Sequence, residues 1–199
     1  MRYVIMADGE GKRWNNYLGI PKHLVEINGE PLIARTVRLL KENDVDDIII
    51  TSRDERYNFA SRVEQSVREC EIDRFDEKVI NGEEICYLYG DVYYTEDAIK
   101  TIVKEKGTDI QFFGHENEIF AIKIRDIPLF LKHKNIVKKL YLDNKIKRCI
   151  GWEVYRSLHN IPFEEHKITT DYIKILDGTD DIDYPVDYEN FKQRMEKVQ

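Results

Sequence analysis

Apolar residues come along this chain in short dense runs, alternating with longer stretches where they recur every three or four positions. Residues 3–7, Tyr-Val-Ile-Met-Ala, form an apolar run too short and too near the start for a helix, and read as a buried strand. Val25 and Ile27, followed by Asn28-Gly29-Glu30, predict an extended piece and a turn whose glycine can take positive φ. Pro31 then opens a helix, where its missing N–H costs nothing, and Ile33, Val37 and Leu40 give that helix an apolar stripe ending near Asn43. Ile48-Ile49-Ile50 is apolar on both faces, as in a parallel sheet covered on both sides. Phe59, Val63, Val67 and Cys70 recur at helical spacing and predict a second helix over 57–70. The following dozen residues show no clear period.

Residues 85–89 read as a strand closed by Gly90-Asp91. Thr95 is the expected N-cap of a helix with Glu96 and Asp97 in its first turn and Ile99, Ile102 and Val103 on its apolar side, ended by Gly107. Residues 110–113 and 119–124 predict two further strands. Pro128 lies near the start of a helix carrying Leu131, Val137 and Leu140, with Lys134, Lys138 and Lys139 on its wet side. Trp152, Val154 and Tyr155 suggest a strand, and Ile168, Ile173 and Ile175 more extended chain. Residues 177–183 form an acidic turn, and 188–198 a terminal helix. Strand and helix alternate through the first two thirds. That implies right-handed crossovers and the α/β class: a single Rossmann-like, mainly parallel sheet with helices on both faces.

Composition narrows the partners. The chain has 199 residues, 42% hydrophobic and 35% charged, enough for one substantial core and ordinary for a soluble globular domain. A net charge of -7 argues against a nucleic-acid binder while leaving room for a locally basic nucleotide pocket. Cys70, Cys86 and Cys149 have no metal-ligand spacing and are odd in number, which fits unpaired thiols in a reducing cytoplasm. The run before Asp8 is too short for a signal peptide, and no apolar run approaches a membrane span, so no membrane partner is expected.

The candidate chemistry sits where strands end, which in an open α/β sheet is where ligands bind. The first strand runs into Gly9-Glu10-Gly11, followed by Lys12, Arg13 and, nine positions on, Lys22 after Pro21. A glycine turn whose backbone N–H groups converge on an anion, with cations beyond it, can hold a polyphosphate. Taken alone, Gly9 and Gly11 are also consistent with a plain turn, and Lys12 with a solvated face. A dinucleotide fingerprint is broken by Trp14 where a third glycine belongs, and no Gly-Lys-Ser/Thr triplet of a P-loop occurs. Asp91, ending an apolar strand, is either a turn residue or a ligand of a hard metal. Asp183 and Asp181 point the same way around Ile182, as a solvated acidic turn or a second metal carboxylate. His23 is open between surface and pocket. The loop from Gly114 to Glu118, with His115, and the Trp152-Glu153 pair could frame a second substrate.

Met6-Ala7-Asp8-Gly9-Glu10-Gly11-Lys12-Arg13 with Pro21-Lys22 resembles the signature loop of the nucleotidyltransferases that activate sugar phosphates and related alcohol phosphates, the MobA-like and sugar-phosphate NTP transferase type. Asn28 to Ile33 resembles the turn and helix start that follow it. Leu88-Tyr89-Gly90-Asp91-Val92 resembles the family's Gly-Asp segment, and Ile182-Asp183-Tyr184-Pro185-Val186-Asp187-Tyr188 its second acidic stretch. Residues 114–124 are similar to the strand pair beside the acceptor pocket. The pattern departs at Asp8, where Ala or Gly is usual, and at Trp14, which replaces a smaller apolar residue.

The resemblance implies one nucleotidyltransferase domain over 1–199 of the nucleotide-diphospho-sugar transferase type, with a nucleotide-binding part over about 1–110 and an acceptor part over about 111–180. Ala7, Asp8, Gly9, Glu10, Gly11, Lys12, Arg13 and Lys22 would bind the NTP, with Arg13 and Lys22 catalytic. Asp91 and Asp183 would hold Mg²⁺. Tyr89, His115, Glu118, Trp152 and Glu153 are the candidate acceptor residues. The implied activity joins an NTP, CTP or UTP before GTP or ATP, to a phosphorylated small molecule with release of pyrophosphate. Sugar 1-phosphate is the default acceptor and phosphocholine the rival. Such an enzyme would work as a cytoplasmic monomer or homodimer in sugar-nucleotide or cell-surface polysaccharide synthesis. The contrasting class is a regulatory domain that binds nucleotide without catalysis.

Overall fold

The computed structural model describes residues 1–82 and 84–196. The chain begins with β1 (Arg2–Met6), the hairpin of β2 (Glu26–Ile27) and β3 (Glu30–Pro31), α1 (Leu32–Glu42), β4 (Ile48–Thr51) and β5 (Ser61–Val63). Then come β6 (Ile85–Tyr89), β7 (Val92–Tyr93), α2 (Glu96–Lys104), β8 (Ile110–Gly114) and β9 (Ile119–Ile124). It closes with α3 (Ile127–Leu142), α4 (Gly151–Leu158), β10 (Tyr172–Lys174), β11 (Asp180–Asp181) and α5 (Pro185–Glu196). Seven strands form one sheet in the order β10-β8-β9-β6-β1-β4-β5. Paired neighbours are parallel except β9, which runs antiparallel to both β6 and β8. The expected Rossmann-like, mainly parallel sheet is the observed one.

Alternation along β1 explains the layers. Tyr3 and Ile5 face a core that α1 and α2 cover, through Ile33, Val37, Leu40, Ile99 and Ile102. Val4 and Met6 face the opposite core, covered by α3 and α4 through Phe130, Val137, Val154 and Tyr155. Both faces of a parallel strand are therefore buried, which is why these strands read as unbroken apolar runs. A third, smaller cluster gathers Trp14, Val25, Ile27, Leu32, Tyr93, Ile182, Tyr188 and Phe191 beside α5. Local signals act as expected at the helix starts. Thr95 Oγ1 accepts the Ala98 N–H at 3.0 Å, and Asp126 accepts that of Leu129 at 2.8 Å.

Five expectations are corrected. Residues 57–70 are not a helix; they form β5 and irregular chain. Positions 59, 63 and 67 keep a helical spacing, but no single helical face carries them. Phe59 and Val63 in fact pack into opposite cores, and Val67 is 84% exposed. Trp152, Val154 and Tyr155 lie in α4 rather than a strand, because the Glu153 carboxylate caps the helix by accepting the Ile150 N–H at 3.2 Å. Lys134 is not on a wet face: it is 4% exposed and donates to the Phe75 carbonyl at 2.9 Å and to Glu77 at 3.0 Å. The acidic turn contains β11, which pairs antiparallel with β7. The terminal helix starts at Pro185, three residues early, and its expected end at Val198 lies outside the described residues.

Candidate active site

β1 sits between β4 and β6, so the crossovers leave it in opposite directions and a crevice opens beyond its carboxyl end. The loop after Met6 lines a cleft of about 950 Å³ together with the segment after β6 and the turn before α5. Gly11 holds φ at +61°, in the left-handed region where a side chain is strained. Trp14 anchors the loop. Its ring is buried among Val25, Ile27, Leu32 and Ile182, and its Nε1 donates to the Ile20 carbonyl at 2.7 Å. Trp14 thus fixes the chain directly after Arg13. Gly90 answers a different need. A Cβ there would stand 2.7 Å from the Met6 carbonyl oxygen and 3.3 Å from His23, so only glycine lets Asp91 approach the end of β1.

Lys22 is the centre of the site. The residue is 8% exposed, and its ammonium lies 2.5 Å from Asp91 Oδ2 and 2.7 Å from Asp183 Oδ1. Arg13 reaches the other oxygen of Asp183 at 2.5 Å. Four residues from three distant stretches thus meet as two cations and two carboxylates. Burial alone would lower the Lys22 pKa, but Asp91 and Asp183 outweigh it and raise it. Burial would likewise raise Asp91, yet Lys22, with smaller contributions from His23 and Arg74, holds it below the usual carboxylate range. His23 itself is buried, accepts or donates at 2.9 Å to the Tyr57 hydroxyl, and is pushed down to about 4 by desolvation. It is a neutral core histidine. Next to the pair, Asp181 is pushed up to about 7, first by burial and then by Glu118, Asp183 and Asp91.

The other expected nucleotide residues divide. Glu10 and Lys12 pair with each other at 2.7 Å on the exposed side of the loop, away from the acidic pair. Ala7 is buried beneath the loop and donates its N–H to the Thr51 carbonyl at 3.1 Å, and the Asp8 carbonyl accepts from the Arg68 guanidinium. Of the acceptor candidates, Tyr89, Glu118 and Trp152 line the cleft. His115 stands aside, edge-on to Phe120 and 3.9 Å from Asp180. Glu153 is buried and spent on Arg156, at 2.8 Å, and on the α4 cap. Sequence reasoning missed Arg68, Arg74, Arg148 and Arg156, which all reach the cleft. Arg74 belongs to the stretch that had no periodicity, so only its charge was available as a signal.

Asp91 and Asp183 suit a hard divalent cation, since they already bracket one positive charge at contact distance. Among the described residues no group of three His, Cys, Asp or Glu side chains is placed to hold a metal. Any such ion would need further oxygen ligands from water or a bound molecule.

Fold and site together give a mainly parallel α/β sheet with a basic glycine loop and an acidic pair at its switch point. Residues 3–77 match the family model described as the MobA-like NTP transferase domain, so the resemblance carried by the signature loop holds. The sequence matches no curated protein. Solved structures share the whole fold. A CTP:phosphocholine cytidylyltransferase from Streptococcus pneumoniae is 16% identical with a TM-score of 0.59, covering 98% of each chain. An inositol-1-phosphate CTP transferase from T. maritima is 14% identical with a TM-score of 0.61, covering 99% of this chain and 95% of that one. A nucleotidyl transferase from Methanothermobacter is 14% identical with a TM-score of 0.68, covering 100% of this chain and 98% of that one. Among the described residues no helix is long and apolar enough to cross a membrane.

Proposed function

We propose that this chain transfers a nucleoside monophosphate from an NTP, CTP or UTP in preference, to a phosphorylated small molecule such as a sugar 1-phosphate, releasing pyrophosphate. The observation that carries the reading is Lys22 held between Asp91 and Asp183, with Arg13 beside them, at the mouth of a glycine loop. The CTP named for two of the similar structures is in keeping with it. The nucleotide would lie over residues 1–110 and the acceptor against 111–180, with Tyr89, Glu118 and Trp152 along its path.

The backbone from Gly9 to Gly11 receives the triphosphate, Arg13 its outer phosphates and Lys22 the α-phosphate side. Asp91 and Asp183 would hold Mg²⁺, which when bound would neutralise charge on the phosphates. Lys22, placed between the two carboxylates, would be within reach of the nucleotide's α-phosphate side. An acceptor phosphate oxygen attacks the α-phosphorus in line as pyrophosphate leaves. No side-chain base is required, because a phosphate monoester is already ionised near neutral pH. The protein's contribution is placement and charge stabilisation.

Screening the four NTPs against a panel of sugar and amino-alcohol phosphates for pyrophosphate release tests the reading. At least one pair should turn over with Mg²⁺, and D91A should abolish that turnover while leaving the circular dichroism spectrum unchanged. Nucleotide binding with no turnover for any pair would favour the regulatory class instead.

A further inference from the structure

One wall of the cleft, with Arg74, Tyr89, Trp152 and Arg156, has an unusual lining. Recognition of a quaternary ammonium needs open aromatic faces. Here the rings are already covered by guanidinium groups. Arg74 Cζ lies 5.3 Å from the centre of the Tyr89 ring, and Arg156 Cζ 5.9 Å from that of Trp152. Trp152 is also stacked on Tyr172, 5.5 Å between centroids and 10° between planes. A cationic headgroup at this wall would meet positive charge in place of π density.

The arginines are built in. Burial would lower the pKa of Arg74, but Tyr89, Glu71 and Asp91 raise it, so it stays charged. Its carboxylate partner, Glu71, lies 3.0 Å away and is 52% exposed, an ion pair of the weak, solvated kind. Arg156 is 7% exposed and donates Nη1 to Glu153 at 2.8 Å and Nε to the Glu165 carbonyl at 2.7 Å, which leaves Nη2 for the cleft. The wall that presents Arg74 is moored. Lys134 and Lys138 of α3 hold residues 73–77 through Phe75, Glu77 and Asp73, and Cys70 Sγ lies 3.3 Å from Cys149 Sγ. A guanidinium fixed on an aromatic face offers its remaining N–H edges to planar or tetrahedral oxyanions. Glu118 and Asp181 belong to the acidic floor near Asp183, on the metal side.

We propose that Arg74 and Arg156, seated on Tyr89 and Trp152, form an anion-binding subsite for the non-reacting end of the acceptor. The acceptor is then a phosphorylated small molecule that carries a second anionic oxygen group, a carboxylate or a phosphate, and not a phosphorylated quaternary amine. This rests on the transferase reading above.

The test pairs turnover with binding. Four probes are compared at fixed NTP and Mg²⁺: glucose 1-phosphate, glucuronic acid 1-phosphate, glucose 1,6-bisphosphate and phosphocholine. The doubly anionic probes should exceed glucose 1-phosphate in kcat/KM by about tenfold or more, the span of a charge-assisted hydrogen bond, with phosphocholine last. R74Q should remove that preference by raising acceptor KM at near-constant NTP KM, and R74K should restore part of it. Because Glu71 is solvated, R74Q leaves no buried charge unpaired. Calorimetric titration of the same probes into wild type and R74Q reads the subsite without turnover. Preference for phosphocholine, or an anionic preference that survives in R74Q, overturns the subsite while the transferase reading stands. Binding preference lost in R74Q without turnover of any pair supports the subsite and overturns the transferase reading.

Discussion

At the scale of single residues, the site turns on one lysine and the histidine that follows it. Lys22 neutralises two carboxylates in a nearly closed pocket, so its removal leaves like charges facing each other. K22A should cut turnover by about 10²-fold, the range for a lost charge-stabilising group. Its melting temperature should then rise with added Mg²⁺, which takes over the carboxylates, while that of wild type responds far less; equal responses would remove Lys22 from this role. His23 makes a pH prediction. Its folded pKa, about 4, lies below the unfolded value of about 6.5, so the unfolded chain binds the extra proton between them. The stability this contributes is complete above pH 6.5 and is lost as pH falls toward 4, at about 1.4 kcal/mol per pH unit. Urea unfolding at pH 7 and pH 5 should show a smaller acid loss in H23Q than in wild type, whatever their difference at pH 7.

At the scale of elements, the loop after β1 works because a separate small cluster holds it. Trp14 lies against β2, the start of α1 and residues next to Asp183, so one indole ties the glycine loop to the acidic turn. W14A should cost about 3–5 kcal/mol of stability, the usual cost of truncating a buried aromatic. It should also raise the KM for NTP, because Arg13 loses its neighbour. A variant that melts earlier but binds NTP as wild type does would confine Trp14 to packing. The helices contribute in a parallel way. Lysines of α3 face inward to moor the segment with Arg74, which is why their exposure could not be read from the stripe of Leu131, Val137 and Leu140.

At the scale of the whole molecule, the two acids of the site have counterions within the chain itself. Lys22 pairs with Asp91 and Asp183, and Arg13 with Asp183. EDTA should therefore abolish turnover while shifting the melting temperature by no more than about 2 °C, unlike a structural metal, whose binding energy is folding energy. Unfolding on chelation would contradict this arrangement. The sheet's order sets the same design on a larger scale. It brings residues 13, 22, 91 and 183 to one end although they are spread over most of the chain.

The strands β1, β4 and β6 and the helices α1 and α2 were determined by local sequence alone, because a doubly buried strand must be apolar throughout and helix caps act over four residues. Gly11, Arg13, Lys22, Asp91 and Asp183 were also legible as candidates, since they stand near strand ends, where an open α/β sheet gathers ligands, and the structure brings them to one cleft. Where side chains answer to distant partners, sequence reading failed. Phe59 and Val63 keep a helical spacing yet pack into opposite cores. Trp152 and Val154 favour strands, but a cap from Glu153 and a place over the sheet made their segment a helix. Arg74 and Arg156 have no local signal beyond their charge. Only tertiary structure seats them on Tyr89 and Trp152, because those contacts join pieces of chain that sequence order does not relate.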